Sequence, residues 1–444
     1  MPDDREIRPH YHDHDCGNLF GCGADKGVGV LREDIKDVVF KRPVADRLLH
    51  MDEVNQCQVE GYVTARARSR RQMLRASSFM TALAAVGPAF AKLAHAADSL
   101  QGKNDGGRAK AANQNEGKVH VVESNDKTVR LGVFDTNLEP VAKIDSGDTI
   151  SYPNTWSHFL NKMQPGVPIE QIARMRVDNP GKGPHSIVGP VYVNGAEPGD
   201  VLEVQYKRIR PVNWGAVFNN PASLKTGLLA EDFPEGQIKY LTLDFKSNTA
   251  EFNKDIHVPL QPFQGTLGLA PPDDFWKPLS PGVITSVPPG PHAGNTDLRE
   301  MAEGSTMFIP VWKPGALIFT GDSHAVQGDG EICLTALETS MEELRIQVFL
   351  HKQQKFAWPI AETPSHWIIL GIDKDLNTAM NIAARNAIDF LATRAKLTKL
   401  DAYGLLSIAA SFRVTQLVDI TGGIHCMIPK SLFAEGLRRE ITVV

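Results

Sequence analysis

Cysteine is scarce in this chain: five in 444 residues, with no C-x-x-C pair among them. That excludes a disulfide scaffold. Cys16, Cys22 and Cys57 fall near the N-terminus, and only Cys333 and Cys426 lie in the main body, each inside an apolar, strand-like pattern. A thiol in such a place reads as a small buried hydrophobe. Positive charge is not in excess either, at 47 Lys and Arg against 52 Asp and Glu for a net charge of −5. With no basic stripe interleaved with aromatics, a nucleic-acid partner is not expected. No apolar run approaches the ~20 residues that a stable membrane span needs. What remains, at 42% hydrophobic and 22% charged residues, is the composition of a globular protein.

The N-terminal part reads as an address. In "SRRQMLRASSFMTALAAVGPAFAKLAHAAD", residues 69–98, Arg70 and Arg71 precede a charge-free, alanine-rich stretch that closes on Ala94-His95-Ala96. Residues 69–97 thus resemble a twin-arginine (Tat) type signal peptide, with Met73 and Arg75 in place of the usual Phe and Lys. The resemblance implies the Tat export machinery as a partner, a periplasmic or extracellular location, and export in the folded state. Residues 1–68 are expected to be a disordered extension. Met51 would open a signal of conventional length, so residues 1–50 read as a start-site extension or part of that disordered segment.

From about residue 117 the chain reads as β. Runs such as "KVHVVE", "TVRLGVF", "GPVYVNG" and "DVLEVQYKRI" are β-branched and bounded by Gly, Asp, Asn and Pro. A Gly-containing turn leading directly into a strand recurs at 145–152, 197–204, 302–311 and 313–322, which predicts a sandwich or barrel over βαβ units. Residues 210–300 are loop-rich, and long irregular segments on a β scaffold carry function or cover a site. The period then changes to that of helices over 376–397 and 399–412, before a last β segment at 414–429. The expected domain, 117–436, is mostly β, of the α+β class, with helices near 376–412.

The chemistry concentrates in "GDSHAVQGDGE", Gly321 to Glu331. Asp322 and His324 are two apart, so an extended strand would put them on one side. Gly328 and Gly330 allow a tight reversal that would bring Asp329 and Glu331 back over the strand end. Histidine nitrogen and carboxylate oxygen are the donors a zinc ion takes. Spacing alone leaves an acidic hairpin and a metal site equally open. "VPPGPHAGNTD" adds His292, Asn295 and Asp297, and "NPGKGPHSIVGP" adds His185. Such Gly/Pro loops can converge at one end of a β scaffold.

Together "GPVYVNGAEPGDVLEV", "PPGPHAGNTD", "GDSHAVQGDGEICLTALE" and "AYGLLSIAASFRVTQLVD" resemble the acetamidase/formamidase family, in order, over about residues 120–435. The resemblance implies hydrolysis of short aliphatic amides to a carboxylate and ammonia. It further implies a β-sandwich-based fold, a divalent metal (zinc is expected) and a homo-oligomer. His185, Asn295, Asp297, Asp322, His324, Gln327, Asp329 and Glu331 match the motif positions. Expected ligands are His324, His185 and Asp322 or Asp297. Glu331 is the expected general base with Asp329 as a further catalytic carboxylate, and Asn295 or Gln327 the donor to the developing oxyanion. Spacing does not decide which carboxylate ligates and which moves protons. Ala293 and Thr296 stand where the family pattern has Gly and Met, a departure that bears on substrate size.

Two other chemistries compete. A cysteine-nucleophile amidase would use Cys333, two residues past Glu331, but no lysine lies close to it in sequence. An exported copper-binding β-sandwich would use His425, Cys426 and Met427, but the second histidine loop that a blue-copper centre needs is missing.

Overall fold

The computed structural model describes residues 117–354 and 356–444. The signal-like segment at 69–97 and everything before it lie outside the described residues. Each of the four Gly-turn stretches leads into a strand: Thr149–Tyr152, Val201–Pro211, Thr306–Pro310 and Ile318–His324. Short β-branched runs and frequent turn residues produce two large sheets, one of nine strands and one of eleven. The first is built around Val201–Pro211, which pairs antiparallel with Met341–His351 and with Thr306–Pro310. The second is built around Ile318–His324, which pairs with Phe263–Gly268, Ser186–Val193 and Glu338–Thr339.

One apolar core joins the sheets. Leu202, Val204, Ile346 and Ile368 of the first sheet cluster with Val188, Leu267 and Ile318 of the second. The period-2 alternation of strands then gives the first sheet a second apolar face. On His366–Asp373, Ile368 and Leu370 enter the inter-sheet core, while Trp367 and Ile369 point the other way, against Phe390, Leu391 and Leu406. Those last residues belong to the helices Leu376–Arg394 and Lys399–Ala409. Both helices start at side-chain caps: Asp375 accepts from the Thr378 N–H and Thr398 from the Asp401 N–H, each satisfying an orphan donor of the first turn. Ala379, Ala383 and Ala387 give the longer helix a smooth buried face. It lies so close to the sheet that a Cβ at Gly371 would fall 2.2 Å from the Ala379 carbonyl oxygen. Burial of Trp367, which packs edge-on against Phe433, anchors this layer; losing such a ring costs about 3–5 kcal/mol.

The result is a sheet-rich α+β fold with its helices on the outer face of one sheet. The end of the other sheet, around Asp322 to Glu338, is left to polar chemistry. Among the described residues no helix is long and apolar enough to cross a membrane.

Candidate active site

The site grows from the register of the second sheet. His324 lies directly opposite Glu338 on one side and Phe263 on the other. Its Nε2 is 3.2 Å from Glu338 Oε2 and 3.2 Å from Asp322 Oδ1. The approach of Asp322 is not the outcome of a regular extended strand, as the sequence suggested. Asp322 has φ 60°, a left-handed kink inside the strand, and the ladder to Ser186–Val193 shifts register just before it. Asp297 and Glu331 also sit at positive φ, 48° and 49°. Each such residue costs of order 1 kcal/mol or more, and outliers of this kind gather at functional sites.

Other segments complete the arrangement. His185 precedes the strand Ser186–Val193; its Nδ1 meets Ser286 Oγ at 2.8 Å, and its Nε2 lies 3.9 Å from Asp322 Oδ2. His158 enters from a turn in which Phe159, Leu160 and Asn161 all have left-handed dihedrals. Its Nε2 is 3.3 Å from Glu338 Oε2 and 3.7 Å from Asp322 Oδ1. Asp297 Oδ1 approaches His324 Nδ1 to 3.9 Å. Asn295 links Thr266, whose hydroxyl donates to its Oδ1, to Asp419, which accepts from its Nδ2 at 3.0 Å. Around them opens a cavity of about 340 Å³, bordered by His158, His185, Asp297, Asp322, Glu331 and Asp419. The apolar side chains of Phe159, Phe218, Val287 and Leu334 also line it.

Burial and like charge set the electrostatics. Burial holds the His158 and His185 rings at about 4, so both are neutral at neutral pH. Burial also opposes charge on His324, but Glu338 and Asp322 outweigh it and raise its pKa well above the usual value. Asp322 is buried too, and the surrounding histidines hold its carboxyl far below the usual range. Burial and mutual repulsion push Asp297 and Glu331 well up, and burial brings Asp419 to about 7. The raised values favour the neutral forms of Asp297, Glu331 and Glu338, and a bound cation would offset the charge of their ionised forms.

The donor set suits a divalent ion. His158, His185 and Asp322 each offer one donor atom, all within 4.8 Å of one another; so do Asp297, Asp322 and His324, and also His324, Glu331 and Glu338. Both Asp297 oxygens, both His324 nitrogens and Glu338 Oε2 are buried without a hydrogen-bond partner among the described residues. The 3.2 Å contacts of His324 therefore bring donors together without hydrogen-bond geometry. Gly265 supplies the room: a Cβ there would sit 2.5 Å from Asp297 Oδ1 and 2.7 Å from Asp322 Oδ2.

Of the residues singled out in the sequence, His185, Asn295, Asp297, Asp322, His324 and Glu331 come together here. Gln327 is buried beside the site and donates from Nε2 to the Asp297 carbonyl oxygen at 2.9 Å. Its reach is to the backbone that carries Asp297, and it does not line the cavity. Asn295 lines the cavity; its Oδ1 accepts from Thr266 and one of its two amide hydrogens goes to Asp419, so it also fixes that carboxylate. Asp329 does not join them. The turn carries it outward, 3.9 Å from both Arg299 and Arg413, while Glu331 goes in. His292 is packed against Phe134 and Phe275, and neither Ala293 nor Thr296 borders the cavity, so the two motif departures do not alter its lining.

Sequence reasoning missed His158, Glu338 and Asp419. Glu338 and Asp419 are the final letters of "GDSHAVQGDGEICLTALE" and "AYGLLSIAASFRVTQLVD", lone acids closing apolar runs, and that was a usable signal. His158, in "NTWSHFLNK", carried none. The two rival chemistries find no geometry. The Cys333 thiol is turned to the carbonyl oxygens of Phe218 and Thr335, 3.9 and 3.6 Å away, and does not border the cavity. Cys426 and Met427 enter different cores on opposite faces of one strand, so they cannot share a copper ion with His425.

Comparison with known proteins adds a lineage. The profile of the Acetamidase/Formamidase family matches residues 132–280 and 273–435. An acetamidase of Mycolicibacterium smegmatis is 28% identical over 198 residues, 33% of this chain and 49% of that protein. The chain spans about half the length of the curated relatives it matches. Among solved structures, the acetamidase of Yersinia enterocolitica superposes with a TM-score of 0.63 at 29% identity, covering 72% of this chain and 94% of that one. The acetamidase of Bacillus halodurans gives 0.62 at 26%, covering 73% of this chain and 100% of that one.

Proposed function

This chain belongs to the acetamidase/formamidase family, and from that premise we propose that it hydrolyses short aliphatic amides, such as formamide or acetamide, to a carboxylate and ammonia. The observation that carries the reading is the buried convergence of three histidines and several carboxylates, among which Asp297, His324 and Glu338 have donor atoms without a partner among the described residues. A divalent ion, zinc by its nitrogen-and-oxygen donor set, would be held by Asp322 either with His158 and His185 or with His324 and Asp297, Glu338 completing the choice of ligands. Such an ion, when bound, supplies a Lewis acid for the amide carbonyl and a water acidified to near neutrality.

The chain's own residues do the rest. Glu331, made more basic by burial and by neighbouring acids, takes the proton from the attacking water and delivers it to the leaving nitrogen. Asp419, fixed by Asn295, and Asp297, whose backbone is held by Gln327, keep the carboxylates apart and oriented. The apolar side chains of Phe218 and Leu334 in the lining limit bulk water, which strengthens each of these interactions. The reading includes export by the Tat-like segment and assembly as a homo-oligomer, for which fractionation and sedimentation are the measurements.

The decisive assay is ammonia release from formamide and acetamide by the purified protein, before and after complete chelation. Activity should vanish with the ion and return when zinc is restored. Full activity in the metal-free protein would overturn the mechanism, and no ammonia from any small amide would overturn the activity.

A further inference from the structure

The helix Ile169–Val177 contains a residue that breaks its own pattern. Ile169 and Ile172 define its buried face and pack with Phe159, Met163 and Phe218. Arg176 falls four residues after Ile172, on that same face. An arginine at a core-facing position without an apolar reason marks a functional demand. Arg176 borders the cavity together with Phe159 and Phe218. Among the described residues no hydrogen bond or ion pair engages it; Asp419 acts on it through space, against a burial that disfavours its charge. A half-buried, unpaired cation is costly unless an anion arrives. Lys225 adds a second cation at the exposed rim of the same cavity.

The cavity thus brings a cation into the same space as His158, Asp322 and Glu331. Arg176 acts through space on His158, His185 and Asp419, and Phe159, Phe218 and Leu334 are apolar side chains in the same lining. The cavity is also larger than the smallest amides need. At about 30 Å³ per water-sized group, an amide of three heavy atoms fills about a quarter of a cavity of about 340 Å³.

We propose that the preferred substrate is a short amide bearing a carboxylate at its far end, with Arg176 as the residue that binds that carboxylate. Guanidinium matches a carboxylate in planar, two-pronged fashion. This rests on the amide-hydrolase reading and narrows it to a substrate class.

The test compares succinamate with butyramide, which have similar length and differ in the terminal charge. In the unaltered protein kcat/KM for succinamate should exceed that for butyramide by about 10- to 100-fold, the range of a charge-assisted contact. Arg176→Met should collapse that ratio, and Arg176→Lys should recover part of it. A ratio near one in the unaltered protein, or a ratio that Arg176→Met leaves intact while both rates fall, overturns the proposal; the second result makes Arg176 a positioning residue for Asp419. If neither amide nor formamide releases ammonia, the activity reading fails on its own. Calorimetric binding of succinamate and butyramide then decides the proposal: preferential, Arg176-dependent binding of succinamate upholds it, and equal binding sinks it.

Discussion

Two clusters in this molecule use the same residue types to opposite ends. At the cavity, Asp297, Asp322, Glu331, Glu338 and Asp419 surround three histidines with one arginine for company. A short way along the same turn, Glu300 and Asp329 gather around His425, which is also buried. In that second cluster the protein supplies the counter-charge itself. Arg413 lies 3.5 Å from Glu300 and 3.9 Å from Asp329, and Arg299 is 3.9 Å from Asp329. His425, held at about 3 by burial, is neutral, and its Nδ1 meets Thr415 Oγ1 at 2.9 Å. Buried atoms without a partner occur in both clusters, on Asp297, His324 and Glu338 at the cavity and on Glu300 and His425 in the second, so the counter-charge is what separates them. Arginine ion-pairs directly with the acids of the second cluster, and among the described residues with none of those at the cavity.

That contrast can be broken in graded steps. Glu331→Gln removes the proposed proton carrier from the uncompensated cluster. It should lower kcat by about 10²- to 10⁴-fold while the divalent-ion content, read by plasma mass spectrometry, stays unchanged. Loss of the ion would instead make Glu331 a ligand. Gly265→Ala acts through space alone, since the new methyl would meet Asp297 Oδ1 at 2.5 Å and His324 Cε1 at 2.6 Å. Its expected outcome is an ion content well below that of the unaltered protein and a thermal midpoint lowered by an overpacking cost of about 1–3 kcal/mol. An unchanged ion content would show that the gap beside Gly265 is not part of the ion's space. Asp329→Asn is the mildest. It touches only the arginine-compensated cluster, so kcat/KM should stay within about 2-fold and stability within about 1 kcal/mol. A large loss of turnover would return Asp329 to the catalytic set.

Much of the site was legible because its residues sit in dense, unusual motifs. "GDSHAVQGDGE" announced Asp322, His324 and Glu331, and "HAGNTD" announced Asn295 and Asp297. Asp329 lies outside the cavity for a simple reason. The glycine reversal is expected to bring both Asp329 and Glu331 over the strand end, but Gly330 at φ 96° and Glu331 at φ 49° turn the chain between them. Side-chain direction in a turn follows dihedral angles, and residue spacing does not supply those. Glu338 was missed because its place depends on a cross-strand register with His324, and His158 because a left-handed turn has no periodic signature.

The sequence by itself determined what is local: the strand-and-turn rhythm, the two late helices with their caps, the loops rich in ligating residues, and the family. Periodicity, turn chemistry and motif order act over a few residues, so a linear reading captures them. Only the tertiary structure decided which acids face inward, which are matched by arginine, and that Arg176 borders the cavity. Those outcomes depend on strand register and burial between segments far apart in the chain. The free energy of a buried charge is set by whatever neighbours the fold brings to it.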